Sequence, residues 1–431
     1  MYKRSLSLLQ QSIENAAVTS LTQNKVWTAN SSTAKDSKGF RLHNVSNPYN
    51  RQHLIYPDDL TNWDNIHNLK PSRSLANFIP EGVRLVGADP FELIKKEELN
   101  MLNEEMLGLI ESDHPVLAKV ARYFFEKQGE SAGKKVRPVM VMLMSHALNS
   151  NSDKSSKEIL DSQRRLSEIT EMIHTASLFH DDVIDNSDSR RGVPTVNKIF
   201  GNKLAILAGD FLLSRASISL ARLRDLEVVE VMSTIIEHLV KGEVMQMKIP
   251  TSVVDSDSDL GPTTKTDKML EYYLKKNFYK TGSLMANSCM SAALLNHNHS
   301  YEKITSSYLY GKHIGSAFQL IDDVLDFEGD EEKMGKNKYA DLREGISTAP
   351  VLFAAEEFPH LYTLMARKFS GPGDVDEAVE IITRSGGVTK TKQLALAEAE
   401  FAVDSLMKGV EPSEYRDALV HLAHKVLVRK S

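Results

Sequence analysis

His174-Thr175-Ala176-Ser177-Leu178-Phe179-His180-Asp181-Asp182-Val183-Ile184-Asp185 reads as the end of a long helix. His174, Ser177, Asp181 and Asp185 recur at helical spacing, so they share one face. A second cluster, Asp322-Asp323-Val324-Leu325-Asp326, repeats the pattern D-D-V-[IL]-D after another apolar, helix-periodic run. Three carboxylates on one helical turn repel one another. A hard divalent cation with oxygen ligands is the natural counter-charge. Two such clusters facing each other have room for several magnesium ions with a diphosphate between them. The bland reading, solvated helix ends, suits one cluster but not two matched clusters inside apolar helices.

Working outward, nearly everything beyond Asp89-Pro90-Phe91-Glu92 is helix-periodic. Asp89 suits an N-cap, Pro90 the first helical position and Glu92 a capping-box acid. The pattern predicts helices near 90–112, 115–128, 134–149, 157–185, 202–223, 226–247, 268–296, 301–328, 346–367, 375–385, 388–408 and 412–428. No alternating run with hairpin turns stands out, so no sheet is expected. Many long helices with short connections predict an all-α bundle with a central active-site cavity and a catalytic domain over 87–431. Residues 43–86 have no sustained period and read as an irregular linker.

The 431 residues are 41% hydrophobic and 26% charged, an ordinary globular composition. A net charge of −6, with no long basic block, argues against a nucleic-acid partner. The single cysteine, Cys289, excludes an internal disulfide framework and a cysteine-based zinc site, and reads as a core residue. There is no run of 18 consecutive apolar residues. Residues 1–42 differ in kind: Lys3, Arg4, Lys25, Lys35, Lys38 and Arg41 face only Glu14 and Asp36 among many Ser and Thr residues. Leu6, Leu8, Leu9 and Ile13 give Lys3 to Ile13 one apolar side. Such a start predicts a mitochondrial transit peptide; a plain tail without an address is the alternative.

Basic residues stand at informative places. Gly133-Lys134-Lys135-Val136-Arg137-Pro138 opens a helix, where backbone N–H groups and the dipole favour an anion. Lys134 and Arg137 share a side and suit a phosphate, although such a turn is commonly a solvated face. Arg190-Arg191 comes soon after the first cluster and can fork to two anions. Lys280-Thr281 and Lys336 complete a basic set. His174 lies two turns before Asp181, where both a satisfied core histidine and a ligand fit. His180 is off the stripe and reads as structural. Ala176 and Ser177 are small and leave space one turn below the acids, as a growing hydrocarbon tail requires.

The ordered motifs resemble those of the trans-isoprenyl diphosphate synthases of the long-chain polyprenyl class. The resemblance covers roughly 90–431 and rests on G-K-x-x-R-P at Gly133 to Pro138, E-M-I-H-T-A-S-L-x-H-D-D-V-I-D at Glu171 to Asp185 with Arg190-Arg191-Gly192, and A-G-D-F-L-L at Ala208 to Leu213. It continues through G-E-x-M-Q at Gly242 to Gln246, K-T-[GA]-S-L at Lys280 to Leu284, and F-Q-L-x-D-D-V-L-D at Phe318 to Asp326.

The resemblance implies an isoprenoid synthase fold and a magnesium-dependent prenyltransferase holding about two to three ions. Asp181, Asp182, Asp185, Asp322, Asp323 and Asp326 would be the metal ligands. Arg190, Lys280, Gln319 and Lys336 would bind the allylic diphosphate. Lys134, Arg137, His174 and Arg191 would bind isopentenyl diphosphate. Thr281 and Gln319 would stabilise the allylic cation, so Lys280, Thr281 and Gln319 form the catalytic group. The chain departs from many relatives at Gly345-Ile346-Ser347-Thr348, where a second lysine is common, and at Asn277-Phe278-Tyr279; neither change removes a metal ligand. Short-chain relatives place bulky aromatics where Ala176 and Ser177 stand, so the resemblance implies a long product, roughly six to ten isoprene units.

The expectation is an all-trans-polyprenyl diphosphate synthase that extends farnesyl or geranylgeranyl diphosphate for the ubiquinone tail. A mitochondrial matrix location, peripheral to the inner membrane, goes with it. So does a homodimer or a heteromer with a second prenyl synthase subunit. The alternatives are a geranylgeranyl diphosphate synthase, a class I terpene cyclase, and a non-catalytic subunit of a heteromeric synthase. Two aspartate motifs with the G-K-K-V-R-P turn disfavour the cyclase, and six retained aspartates disfavour the non-catalytic subunit.

Overall fold

The computed structural model describes residues 70–84, 89–94, 96–111, 114–130, 135–150, 161–190, 192–247, 261–296, 299–329 and 338–429. The expected targeting segment 1–42 lies outside the described residues, as do Lys134, Arg191 and Lys336. Among the described residues the fold is all-α, as the periodicity predicts. Its one sheet is a minimal hairpin, Ser189–Arg190 paired antiparallel with Val193–Pro194.

Two helices carry the acidic motifs: Asp161–Ile184, the first-motif helix, and Tyr301–Glu328, the second-motif helix. The second starts where Ser300 Oγ accepts from the backbone N–H of Lys303 at 3.3 Å, and ends with the Gly329 N–H bonded to Leu325 O at 2.7 Å. It is buried along most of its length, between Ser283–Leu294 and Gly387–Gly409. Such a central helix buries apolar residues on several sides, and with them polar ones, Ser306, Ser307, Lys312 and Ser316 among them. Tyr308 and Tyr310 are fully buried, and the Tyr310 hydroxyl donates to Leu419 O at 2.8 Å. Two glycines let the helix Ser283–Leu294 approach. A Cβ at Gly311 would overlap the carbonyl oxygen of Met285, and one at Gly315 would lie 2.6 Å from the Cα of Gly282. Cys289 is fully buried here, as expected, and burial raises its thiol pKa.

Several boundaries differ from the sequence expectation. The region 90–112 is two helices, Pro90–Leu93 and Lys96–Leu109; Asp89 caps the first, accepting from Phe91 N at 3.1 Å. The region 346–367 is also two, Ala349–Glu357 and Leu361–Ala366, separated at Pro359, which cannot continue a helical bond. The region 268–296 begins earlier, with Pro262 in the first turn, and it contains a π-turn, Phe278–Gly282, between Pro262–Asn277 and Ser283–Leu294. A short helix, Val196–Phe200, is an addition that the periodicity does not predict.

Residues 70–84 are irregular apart from a short 3-10 turn, Leu75–Asn77, yet they are docked rather than free. Ser72 N and Arg73 N donate to the Glu400 carboxylate at 2.7 and 2.5 Å, and Arg84 N donates to Asp417 at 3.0 Å. Phe78 is fully buried, its ring centroid 6.0 Å from that of His424. Ordered polar backbone is thus satisfied by two buried acids of the last two described helices.

The helix Asn202–Arg222 is long and apolar enough, by length and composition, to cross a membrane. Its inner side packs on the first-motif helix, while Ile206, Leu207 and Ile218 remain exposed. The next helix, Leu226–Met247, adds exposed Leu226, Val240, Val244 and Met247.

Candidate active site

The first-motif helix delivers its acids at its last turn. Asp185 N donates to Asp181 O at 2.8 Å, so helical geometry continues through the cluster. Asp182 points inward and is buried. Arg190 Nε and Nη2 both donate to its Oδ1, at 3.1 and 2.8 Å, and Asn197 Nδ2 donates to its carbonyl at 3.1 Å. The middle aspartate therefore anchors the hairpin that carries Arg190. Asp181 is less enclosed. Burial pushes its carboxyl up to about 6; Lys280 opposes that, and the neighbouring carboxylates of Glu243 and Asp185 add to it. Asp185 is also raised, chiefly by burial.

The second motif is arranged likewise. Asp323 is buried, and both of its oxygens are engaged: Tyr273 donates its hydroxyl to Oδ2, and Gln319 Nε2 donates to Oδ1 at 3.0 Å. Burial and the nearby Asp341 carboxylate raise the Asp323 pKa. Asp326 Oδ1 accepts from the backbone N–H of Ala340 at 3.0 Å and its carbonyl accepts from Tyr339 N at 3.1 Å, holding the segment downstream of the motif. Asp322 is the more open of the three and pairs with Arg429 at 2.5 Å.

The π-turn joins the two motifs. Lys280 Nζ lies 2.7 Å from Glu243 Oε2, within the electrostatic reach of Asp181 and Asp185. Burial alone would lower the Lys280 pKa; Asp181, Glu243 and Asp185 more than offset it, so the net shift is upward. The next residue, Thr281, turns the other way and donates from Oγ1 to Gln319 Oε1 at 3.1 Å. Consecutive residues thus serve the first motif and the second. An ordinary α-turn has no such widened step, and π-turns are frequent at functional sites.

On the face above the first motif, Arg137 Nη1 lies 3.1 Å from His174 Nε2. Arginine only donates, so His174 accepts at Nε2 and carries its proton on Nδ1. These two of the four residues expected at the isopentenyl diphosphate site are together; Lys134 and Arg191 lie outside the described residues. Lys135, in the left-handed region at φ 43°, precedes the helix Val136–Asn149. Ala176 is fully buried, and Ser177 Oγ donates to His174 O at 2.8 Å, so its hydroxyl is satisfied locally. His180 Nε2 lies 3.3 Å from Ile206 O and 3.5 Å from Asp210 Oδ1.

Among the described residues, no three His, Cys, Asp or Glu side chains converge closely enough to hold an ion unaided. The donors are nonetheless the hard carboxylate oxygens that magnesium takes. Burial, and the carboxylates of Glu243 and Asp185, leave the Asp181 carboxylate poorly solvated despite Lys280, so the residues fit a divalent cation completed by water and phosphate.

Glu243, Tyr273 and Arg429 join the site without a role that the sequence predicts. Glu243 lies in the motif G-E-x-M-Q, a signal whose partner the sequence does not identify. The Tyr273–Asp323 and Arg429–Asp322 pairs span 50 and 107 residues, and no local pattern announces them.

A family model described as polyprenyl synthetase matches residues 114–382. The mitochondrial solanesyl-diphosphate synthase 1 of Oryza sativa subsp. japonica is 41% identical over 356 residues, covering 79% of this chain and 79% of that one. A probable mitochondrial hexaprenyl pyrophosphate synthase of Neurospora crassa is 42% identical over 379 residues, covering 79% and 82%. Among solved structures, the polyprenyl synthase of Caulobacter crescentus, complexed with calcium and isoprenyl diphosphate, superposes with a TM-score of 0.67 at 28% identity, covering 81% of this chain and 100% of that one.

Proposed function

The chain belongs to the polyprenyl synthetase family, and from that premise we propose that it is a long-chain all-trans-polyprenyl diphosphate synthase making the prenyl tail of ubiquinone. It is a prenyltransferase that adds isopentenyl diphosphate repeatedly to an allylic diphosphate. The observation that carries this reading is the pair Lys280 and Thr281: the former against Glu243 beside Asp181 and Asp185, the latter bonded to Gln319 beside Asp323. A cation aimed at one motif and a hydroxyl aimed at the other bracket a diphosphate and the carbon it leaves.

Arg190 and Lys280, with Lys336, bind the allylic diphosphate between the two motifs. Arg137 and His174, with Lys134 and Arg191, hold the diphosphate of isopentenyl diphosphate. Magnesium, about two to three ions, would be held by Asp181, Asp182, Asp185, Asp322, Asp323 and Asp326 and would neutralise the departing diphosphate. Asp182, through Oδ1, and Asp323, through both oxygens, also keep Arg190 and Gln319 in place. As the carbon–oxygen bond breaks, Lys280 stabilises the negative charge growing on the diphosphate. The oxygens of Thr281 and Gln319 face the allylic cation with the negative ends of their dipoles. The isopentenyl double bond attacks the cation, and the proton lost from the adduct passes to the released diphosphate, so no side-chain base is needed.

Small residues at Ala176 and Ser177 support a long product, roughly six to ten isoprene units. The exposed apolar face of Asn202–Arg222 and Leu226–Met247 supports an oligomer in which a second copy covers it. A second prenyl synthase subunit is the alternative occupant, and light scattering of the protein alone separates the two. Relatives named as mitochondrial support a mitochondrial site of action; matrix placement beside the inner membrane suits so apolar a product.

The test is purified protein with labelled isopentenyl diphosphate, farnesyl or geranylgeranyl diphosphate and magnesium, with products sized by chromatography. Long polyprenyl products are expected. Products that stop at geranylgeranyl diphosphate overturn the length, and no elongation with or without a partner subunit overturns the activity.

A further inference from the structure

Gly242 and Glu243 hold Lys280 from two sides. A Cβ at Gly242 would lie 2.9 Å from the backbone N of Lys280 and 3.2 Å from its Cα, so the helix Leu226–Met247 and the π-turn are in near backbone contact there. Only glycine permits that approach. The contact brings the next residue, Glu243, within 2.7 Å of the Lys280 ammonium. Both groups are largely removed from solvent, at 12% and 21% side-chain exposure, so the pair is far less screened than a surface ion pair. A lysine ammonium has three N–H donors on a flexible stem. Ion pairing with Glu243 restrains the stem and leaves N–H donors for an anion.

We propose that Glu243 is a positioning residue for the condensation, holding the Lys280 ammonium where the allylic diphosphate is bound and departs. It acts through Lys280 and touches neither substrate nor metal. The negative charge so close to a diphosphate site is tolerated because Lys280 neutralises it. The alignment is in place before substrate arrives, which is where preorganised charge gains its advantage over a mobile side chain. This inference rests on the reading that Lys280 contacts the allylic diphosphate.

The test uses the full-length protein and four variants, E243Q, E243L, K280A and E243L/K280A, with kcat and the two KM values measured separately and helical content checked by circular dichroism. Glutamine keeps an oxygen that accepts from the ammonium, so E243Q is expected to stay within about tenfold of the parent, whereas E243L loses roughly 100-fold in kcat/KM for the allylic substrate. The KM for isopentenyl diphosphate stays unchanged in both, which a general loss of structure would not allow. Adding E243L to K280A is expected to cost far less than E243L costs alone, because the effect of Glu243 runs chiefly through Lys280 and only its field on Asp181 and Asp185 remains once the lysine is gone. Equal losses from E243L with and without Lys280 overturn the proposal, as does E243L with parental kinetics. K280A with parental kinetics instead overturns the role of Lys280 itself, so the two failures are told apart.

Discussion

Arg429, the residue after the last described helix, pairs its Nη2 with Asp322 Oδ1 at 2.5 Å. The same nitrogen donates to Phe318 O at 2.7 Å, and the guanidinium lies 3.8 Å over the Phe318 ring. The first aspartate of the second motif is thus charge-neutralised by protein before any metal binds. An arginine in that position competes with a cation for the carboxylate. Arg429→Gln is expected to tighten magnesium binding by about tenfold or more by removing a competing charge-assisted hydrogen bond worth about 1.5–3 kcal/mol. Calorimetric titration of the metal in the absence of substrate reads this directly; weaker or unchanged binding contradicts the competition.

Asp181 supplies a pH dependence with a definite sign. Its carboxyl, raised to about 6 mainly by burial, holds a proton below that pH, and a cation binding there must displace it. Apparent magnesium affinity is therefore expected to fall as pH drops through about 6 and to be flat above about 7.5. Titrations at several pH values check the trend. Asp181→Asn should remove the step and lower turnover by more than about 100-fold with the helical signal intact.

Ala176 is fully buried on the first-motif helix, five residues before its first aspartate. Phenylalanine there builds a floor beneath the acids. Ala176→Phe is expected to shorten the product to roughly three or four isoprene units, since the added ring blocks the path of the tail. Product sizing decides it, and an unchanged length means that the wall lies elsewhere.

Phe78 tests whether residues 70–84 belong to the folded unit. It is fully buried beside His424, in a segment whose backbone is bonded to Glu400 and Asp417. Phe78→Ala is expected to cost about 3–5 kcal/mol of unfolding free energy. A loss below about 1 kcal/mol in denaturant melts would mean the segment packs without supporting the core.

Much of this architecture is legible in the chain because it is local. Helix periodicity and the proline and glycine breaks predict the bundle, and spacing alone puts Asp181 and Asp185 on one face. The features that escape such a reading depend on distance along the chain or on very short elements. The hairpin Ser189–Arg190/Val193–Pro194 is too short for any alternation to register. Phe78 reads as part of a linker because nothing near it has a period; its partner, His424, belongs to the last described helix. The six aspartates look alike in the sequence, yet their protein partners differ: Asp182 Oδ1 accepts from Arg190, Asp323 from Tyr273 and Gln319, and Asp322 from Arg429, contacts that only packing reveals.

The π-turn at Phe278–Gly282 makes this region tolerant of one kind of change and not another. Replacing a side chain within it alters one contact. Deleting a single residue would let the helix close into ordinary α geometry and remove the widened step on which Lys280 and Thr281 stand. Lys280 and Thr281 would keep their identities and lose their addresses, one no longer reaching Glu243 or the other no longer reaching Gln319. Length in this segment is therefore under tighter constraint than composition. A chain with every motif letter intact but one residue fewer between Asn277 and Ser283 is expected to fold as a bundle and fail as a catalyst.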